Sequence, residues 1–468
     1  MIEWLRWLFA PFLSLANLPR AVASLSMAGR IAVLVALFQI LTVALAIGVL
    51  VIGNERHVIQ AWWHPYKLAL LGALLILAPI LVYQAARLWL ERESSRWPDI
   101  LEAWNAALLE LRHQGIPIKD VPVFLVVGGA CDEEEKRILA EAPCELTVRA
   151  APAGAAALHV YGGPDAIFIC LSRTSQLAEI SRRGAEAGAT KDDRPEADGH
   201  AEQATKSLRL HFEMPMRLRY VCELLRHERG GLAPINGVLA ILPWRFIERG
   251  EAETVAVGRS LGSDLATIGS GMGLRAPVVT LLVDTAPERG FAELIRRTPP
   301  AERRSRLGQR FPVGAVATTG QLGTVASRAC GSVEDMITGR LLRAPDVLAQ
   351  GDNDQLVALV SRLRHDVSAR LARILQRAFT VADGDTALLP PFLSGCYLAG
   401  CGAGRDGQAF VGGVLEKLLD SQGELEWAPG VEAGDLRALR IARVLWVISV
   451  VAVVAFTTFL SRRMLWGG

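Results

Sequence analysis

The chain has 468 residues, 51% of them hydrophobic, with a mean hydropathy of +0.29 and a formal net charge of +2. So apolar a composition excludes an ordinary soluble protein, and a charge this close to zero gives no support to nucleic-acid binding. The seven cysteines (131, 144, 170, 222, 330, 396 and 401) form no C-x-x-C pair, so reduced, buried thiols in a cytoplasmic domain are expected.

Residues 1–30 carry Trp4, Trp7, Leu8, Phe9, Phe12 and Leu13, interrupted by Pro11 and Pro19. That pattern fits a segment lying on a membrane surface, and a partner-binding or disordered tail fits as well. Residues 31–53 are 23 positions without a charge, long enough to cross a bilayer core of about 30 Å. A second apolar run, 68–90, is broken by Arg87 and carries Pro79; a third, 444–460, is 17 residues long. Arg6, Arg20 and Arg30 precede the first run, Arg87, Arg92 and Arg96 follow the second, and Arg437, Arg440 and Arg443 precede the third. With only Arg56 and Lys67 between the first two, the amino end and the large middle region are expected to be cytoplasmic. The first run is too long, and starts too late, for a cleaved signal peptide.

Residues 98–114 repeat apolar positions at three and four, as a helix does. A strand over 122–127 follows, then a helix opening at Asp132, with Glu135 placed for a capping box. Strands are predicted at 156–161, 165–171, 235–242, 277–283 and 392–400. Helices are predicted at 216–229, 252–274 and 286–298, then from 332 onward (most clearly 355–379), with a short one at 410–419. Residues 181–207 hold no apolar side chain larger than alanine and read as a disordered insertion. Strands alternating with helices, most of them apolar throughout, predict a parallel sheet covered on both faces.

The chemistry turns on three loops. At 122–139 an apolar strand, the pair Gly128-Gly129 and a helix start reproduce the layout of a phosphate-binding loop. Counted from Gly128, the glycine, lysine and hydroxyl positions hold Glu133, Glu134 and Glu135; counted from Gly129, two glutamates come first and Lys136 takes the hydroxyl position. Four acidic residues in the first turn occupy the helix end that would otherwise attract a phosphate. Each carboxylate–phosphate repulsion is about 4 kcal/mol at about 4 Å and an effective dielectric near 20. The strand at 165–172 (DAIFICLS) lacks the terminal carboxylate that would hold a magnesium shell, and after 277–283 only Asp284 stands where a base-reading motif would lie. No nucleotide hydrolysis is expected. His211, His227 and His365 lack metal-ligand spacing, and Gly269–Gly273 (GSGMG) reads as a local helix break. Arg289-Gly290-Phe291 and the basic run 296–310 read as a solvated or membrane-facing patch, and no nucleophile–base pair accompanies Cys396 and Cys401.

The ordered landmarks resemble the IcmF/TssM inner-membrane proteins of type VI and type IVB secretion. VPVFLVVGG at 121–129 stands where that family has a strand and Walker loop of the LPWYLVLGPPGSGKT kind, and DAIFICLS at 165–172 stands for its DAVLLDTAG strand. Leu225-Arg226 with PINGVL at 234–239 is similar to its LR…R-PLNGV segment. PVVTLLVDTAPERGF at 277–291 and FLSGCYLAG at 392–400 resemble two later strands. The likeness covers roughly residues 31–460, but no nucleotide-binding residue of the family has a match, and the family's periplasmic region has no counterpart before the last residue. A short, divergent form is implied.

The expected fold is α/β with a helical subdomain plus three transmembrane helices, on a P-loop-NTPase-like, mostly parallel sheet with a degenerate nucleotide site. The expected domains are an interfacial segment at 1–30 and transmembrane helices at 31–53, 67–90 and 441–461. A cytoplasmic GTPase-like domain is expected at 91–330, and a helical extension with a final strand at 331–440. The expected function is a membrane-anchored pseudo-GTPase-like scaffold of a type VI secretion membrane complex at the inner membrane. The alternatives are a membrane NTPase with a non-standard nucleotide site and a regulatory membrane protein unrelated to secretion. No catalytic residue, metal or cofactor is expected, Gly128, Gly129 and Lys136 marking only the degenerate loop. By resemblance the partners are a TssL-like membrane subunit, baseplate proteins and further copies of the chain, with the lipid bilayer and without nucleic acid.

Overall fold

The computed structural model describes residues 97–428, apart from 190–199, 231, 284, 286–287, 313–315, 344–350, 381–389 and 403–406. It gives 187–189 and 200–211 by backbone alone, and elsewhere describes only the helical pieces 32–36, 38–39, 42–43, 75 and 77–85. Trp97–Ala428 is one unit, and Met1–Arg96 with Pro429–Gly468 is another.

The larger unit begins with α1 (Pro98–His113), β1 (Val123–Val127), α2 (Asp132–Leu139), β2 (Val148–Ala151), β3 (His159–Gly162) and β4 (Ile167–Cys170). It continues through α3 (Gln176–Ala189), α4 (His200–Arg229), β5 (Gly237–Pro243), α5 (Arg245–Glu248), α6 (Glu251–Met272), β6 (Leu274–Arg275), β7 (Pro277–Val283) and α7 (Arg289–Arg297). Then come β8 (Gly308–Arg310), α8 (Thr319–Gly339), α9 (Asn353–Arg362), a π-helical turn (Leu363–Val367) and α10 (Ser368–Phe379). The last elements are β9 (Phe392–Leu398), β10 (Gly400–Cys401), β11 (Gln408–Ala409), α11 (Val411–Asp420) and β12 (Glu426–Trp427).

Strands β1, β4, β5, β7 and β9 are buried at every position, which is why their sequences are apolar throughout rather than alternating. They pair in parallel as β4–β1–β5–β7–β9. The full sheet has eight strands in the order β2-β3-β4-β1-β5-β7-β9-β8. At one edge β2 and β3 run antiparallel, and at the other β8 runs antiparallel to β9. In register at the centre, Phe124 lies opposite Phe168, with their rings stacked 5.5 Å apart. Helices α4, α6, α10 and α8 pack side by side, and α11 packs on β5 and β7. The chain first builds β4 on one side of β1 and then β5, β7 and β9 on the other. In open α/β sheets such a reversal opens a crevice at the carboxyl ends of the strands, where ligands bind.

Several expectations are corrected. The sheet is mixed, because the β2–β3 hairpin and β8 return antiparallel at its edges. The helical extension is not separate from the α/β domain, since β9 lies inside the sheet between β7 and β8. Most of the supposed insertion at 181–207 is helical: 181–189 complete α3 and 200–207 open α4, while 190–199 lie outside the described residues.

The fold class with three transmembrane helices and the multi-pass inner-membrane location are also overturned. Among the described residues, no helix is long and apolar enough to cross a membrane. The 30-residue α4 has the length but carries Glu213, Arg217, Arg219, Glu223 and Arg226 along it. The 22-residue α6 buries Thr254, Ser260 and Asp264 together with its apolar side chains. The segment 1–30 and most of 31–53, 67–90 and 441–461 lie outside the described residues.

Candidate functional site

The turn that ends β1 stands at the carboxyl ends of the parallel strands, where such a crevice would open. Gly128 has φ +95°, and a Cβ there would sit 2.2 Å from the Ile241 carbonyl oxygen and 2.8 Å from Leu177 Cδ2, so only glycine fits. A Cβ on Gly129 would meet Glu135 Oε1 at 2.9 Å. The next amide, Ala130 N, donates to Glu134 Oε2 at 2.7 Å. The two-glycine turn is therefore closed by carboxylates from the first turn of α2. Lys136 points away into solvent exposure.

The capping arrangement differs from expectation. Cys131 is the N-cap of α2, in extended backbone and without a side-chain capping hydrogen bond, and Asp132 is already helical. No capping box forms, because Glu135 turns inward. Its Oε1 accepts from Ser172 Oγ at 2.6 Å, and its Oε2 lies 3.5 Å from His159 Nδ1. Asp132 Oδ1 lies 3.5 Å from the same Nδ1. Glu135 and His159 are each 1% exposed and Asp132 29%. His159 Nε2 is 2.8 Å from the Gly154 carbonyl, which can only accept, so Nε2 carries a proton. Neither Glu135 Oε2 nor His159 Nδ1 makes a hydrogen bond.

Burial lowers the His159 pKa, but the Glu135 carboxylate, the Gly154 carbonyl and the Asp132 charge outweigh it and leave a net rise. Where a magnesium-holding carboxylate would end β4 stands Cys170, fully buried and with its thiol pushed well up, first by burial and then by Glu135. The chain brings His159 here through the β3–β4 pairing, which sets His159 opposite Cys170.

A second helix start faces the same side. Ser175 Oγ accepts from Ala178 N at 3.0 Å, and the carboxylate of Asp264, from α6, accepts from Gln176 N and Leu177 N at 2.9 Å each. Asp264 is fully buried, which raises its pKa to about 6 against the pull of the Leu177 and Gln176 amides and the Ser175 hydroxyl. The start of α3 thus satisfies its orphan amides with the chain's own oxygens, and the turn before α2 spends its Ala130 amide on Glu134.

The remaining candidates resolve into structure. Gly269–Gly273 closes α6, with Gly273 left-handed at φ 68° and Gly271 packed against Cys222 of α4. His227 and His365 are exposed on different helices, the His211 side chain and Asp284 lie outside the described residues, and Cys396 and Cys401 are buried free thiols. In the basic run Arg296 and Arg297 both bind Glu293, whose pKa falls through the Arg296 hydrogen bond despite burial.

At the other end of the strands the buried Arg229 closes α4 onto β1. Its Nη1 donates to the carbonyls of Ile118 and Val121 at 2.6 Å each, and its Nε and Nη2 donate to Ala233 O at 3.0 and 2.8 Å. Asn236 Oδ1 accepts from Val123 N at 3.0 Å. Sequence reasoning passed over His159, Ser172 and Asp264; each is an isolated polar residue whose partners come from another element.

Residues 216–420 match the family model of the IcmF-related N-terminal domain. Neither a curated protein nor a solved structure matches the chain. The matched stretch runs from within α4 to the end of α11, and so includes the Arg229–Asn236 clasp, β5, β7 and β9. Residues 216–420 thus carry an IcmF-related N-terminal domain, which is consistent with a relative of the IcmF/TssM family.

Proposed function

We propose that this protein, tied to type VI secretion by its IcmF-related domain, is a pseudo-GTPase scaffold that recruits partner subunits and hydrolyses no nucleotide. One observation carries the reading: the loop amide of Ala130, placed where a phosphate oxygen would be received, is donated to Glu134 Oε2 at 2.7 Å. A phosphate would have to displace that carboxylate and then sit beside Asp132 and Glu135, at a cost of about 4 kcal/mol for each close carboxylate. Lys136 is exposed and offers no compensating charge inside the turn. The sheet and its helix layer then serve as a rigid frame for protein contacts. By family, its partners are a TssL-like subunit, baseplate proteins and further copies of the chain.

The test is calorimetric titration of the full-length protein with GTP and ATP in the presence of magnesium. No saturable heat is expected into the millimolar range. Micromolar, magnesium-dependent binding that disappears in Lys136→Ala would sink the proposal. Affinity capture of the intact protein under gentle conditions is expected to recover secretion subunits.

A further inference from the structure

We propose that Asp132, Glu135 and His159 form a binding site for a divalent transition-metal ion of the Zn²⁺ class. The three residues each offer a ligand atom, and these atoms lie within 4.8 Å of one another. His159 Nδ1 is 3.5 Å from both Asp132 Oδ1 and Glu135 Oε2. A charge-assisted hydrogen bond would draw such atoms to about 2.7–2.9 Å. Ligand atoms about 2.1 Å from a shared tetrahedral ion stand about 3.4 Å apart, close to the spacing found.

The surroundings orient the ligand atoms toward a common point. His159 Nε2 donates to the Gly154 carbonyl, which leaves the Nδ1 lone pair for coordination. Ser172 Oγ holds Glu135 Oε1 and leaves Oε2 facing the histidine. Both Nδ1 and Oε2 are buried and without a hydrogen-bond partner, an arrangement that native structures rarely leave unanswered. Asp132 is partly exposed, so a fourth coordination position opens toward solvent. One imidazole with two carboxylates suits Zn²⁺, Mn²⁺ or Fe²⁺ better than the all-oxygen preference of Mg²⁺ or Ca²⁺. The rival arrangement is an imidazolium held between two carboxylates without metal. The proposal does not rest on the scaffold reading: a metal here neither requires nor forbids nucleotide binding, and the two experiments fail separately.

Full-length protein, stripped with chelator, is titrated with Zn²⁺ against a chromophoric chelator, and with Co²⁺ while its visible absorption is followed. One equivalent is expected to bind, with a Co²⁺ spectrum typical of low coordination number and a Zn²⁺-dependent rise in the unfolding temperature. Asp132→Asn is expected to weaken Zn²⁺ binding at least tenfold and His159→Gln a hundredfold or more. Since the buried His159 is also packed, Asp132→Asn and Ser172→Ala serve as milder variants, and Ser172→Ala is expected to weaken affinity about tenfold through Glu135. No stoichiometric binding by the folded wild type, or affinities that none of the variants changes, would overturn the site and leave the paired imidazolium.

Discussion

Asp264 is a buried carboxylate whose pKa is set without a charged partner. Its folded-state pKa of about 6 lies above the ordinary 3.8, so the folded chain binds a proton that the unfolded chain releases. Its stabilising contribution is complete below about pH 4 and is lost as pH rises through about 6. At roughly 1.4 kcal/mol per pH unit the loss is about 3 kcal/mol. Urea unfolding between pH 4.5 and 7 is expected to show wild-type stability falling relative to Asp264→Asn by about 2 kcal/mol, the part of the loss that lies in this window, and an opposite slope would contradict the assignment. At this scale the sequence shows what is missing more readily than what replaces it. Glutamates at 133–135 announce a damaged phosphate loop, yet nothing local tells that Glu134 takes the Ala130 amide while Glu135 reaches Ser172 and His159. Those contacts exist only because β3 pairs with β4 and brings position 159 beside 170.

Among the elements, the clasp at Arg229 joins the carboxyl end of α4 to the loop before β1. Arg229→Met would strip the donor from the carbonyls of Ile118, Val121 and Ala233 in a buried setting. A loss of about 3 kcal/mol is expected by chemical denaturation. Arg229→Lys should recover little, because an ammonium cannot reach both sides as the planar guanidinium does. The fully buried strands are legible as apolar runs, and all five central ones stand within about two residues of their expected limits. Helix starts are less legible. Residues 319–331 contain Gly320, Gly323 and Gly331, which weaken helical propensity, but α8 begins at Thr319. The Thr318–Gln321 capping box and burial of Leu322, Val325, Ala326 and Ala329 override it. Pro215 hides the first half of α4 in the same way, for the helix continues through it.

For the molecule as a whole, the decisive fact is that the late strand β9 lies between β7 and β8. A fragment ending at residue 330 would leave β7 with an open edge and β8 with nothing to pair against. It is expected to give no cooperative thermal transition and to aggregate, whereas a 97–428 fragment should unfold in one step by circular dichroism. Sequence order alone does not reveal this, since strand adjacency depends on crossovers that leave no local mark. The same placement sets a timetable during synthesis. Between the end of β7 at residue 283 and the end of β9 at 398, more than a hundred residues must be added. At roughly 5–20 residues per second that takes on the order of 10 s. For that interval the nascent sheet ends in an all-apolar, unpaired edge, so chaperone binding to the ribosome-bound chain is expected until β9 emerges.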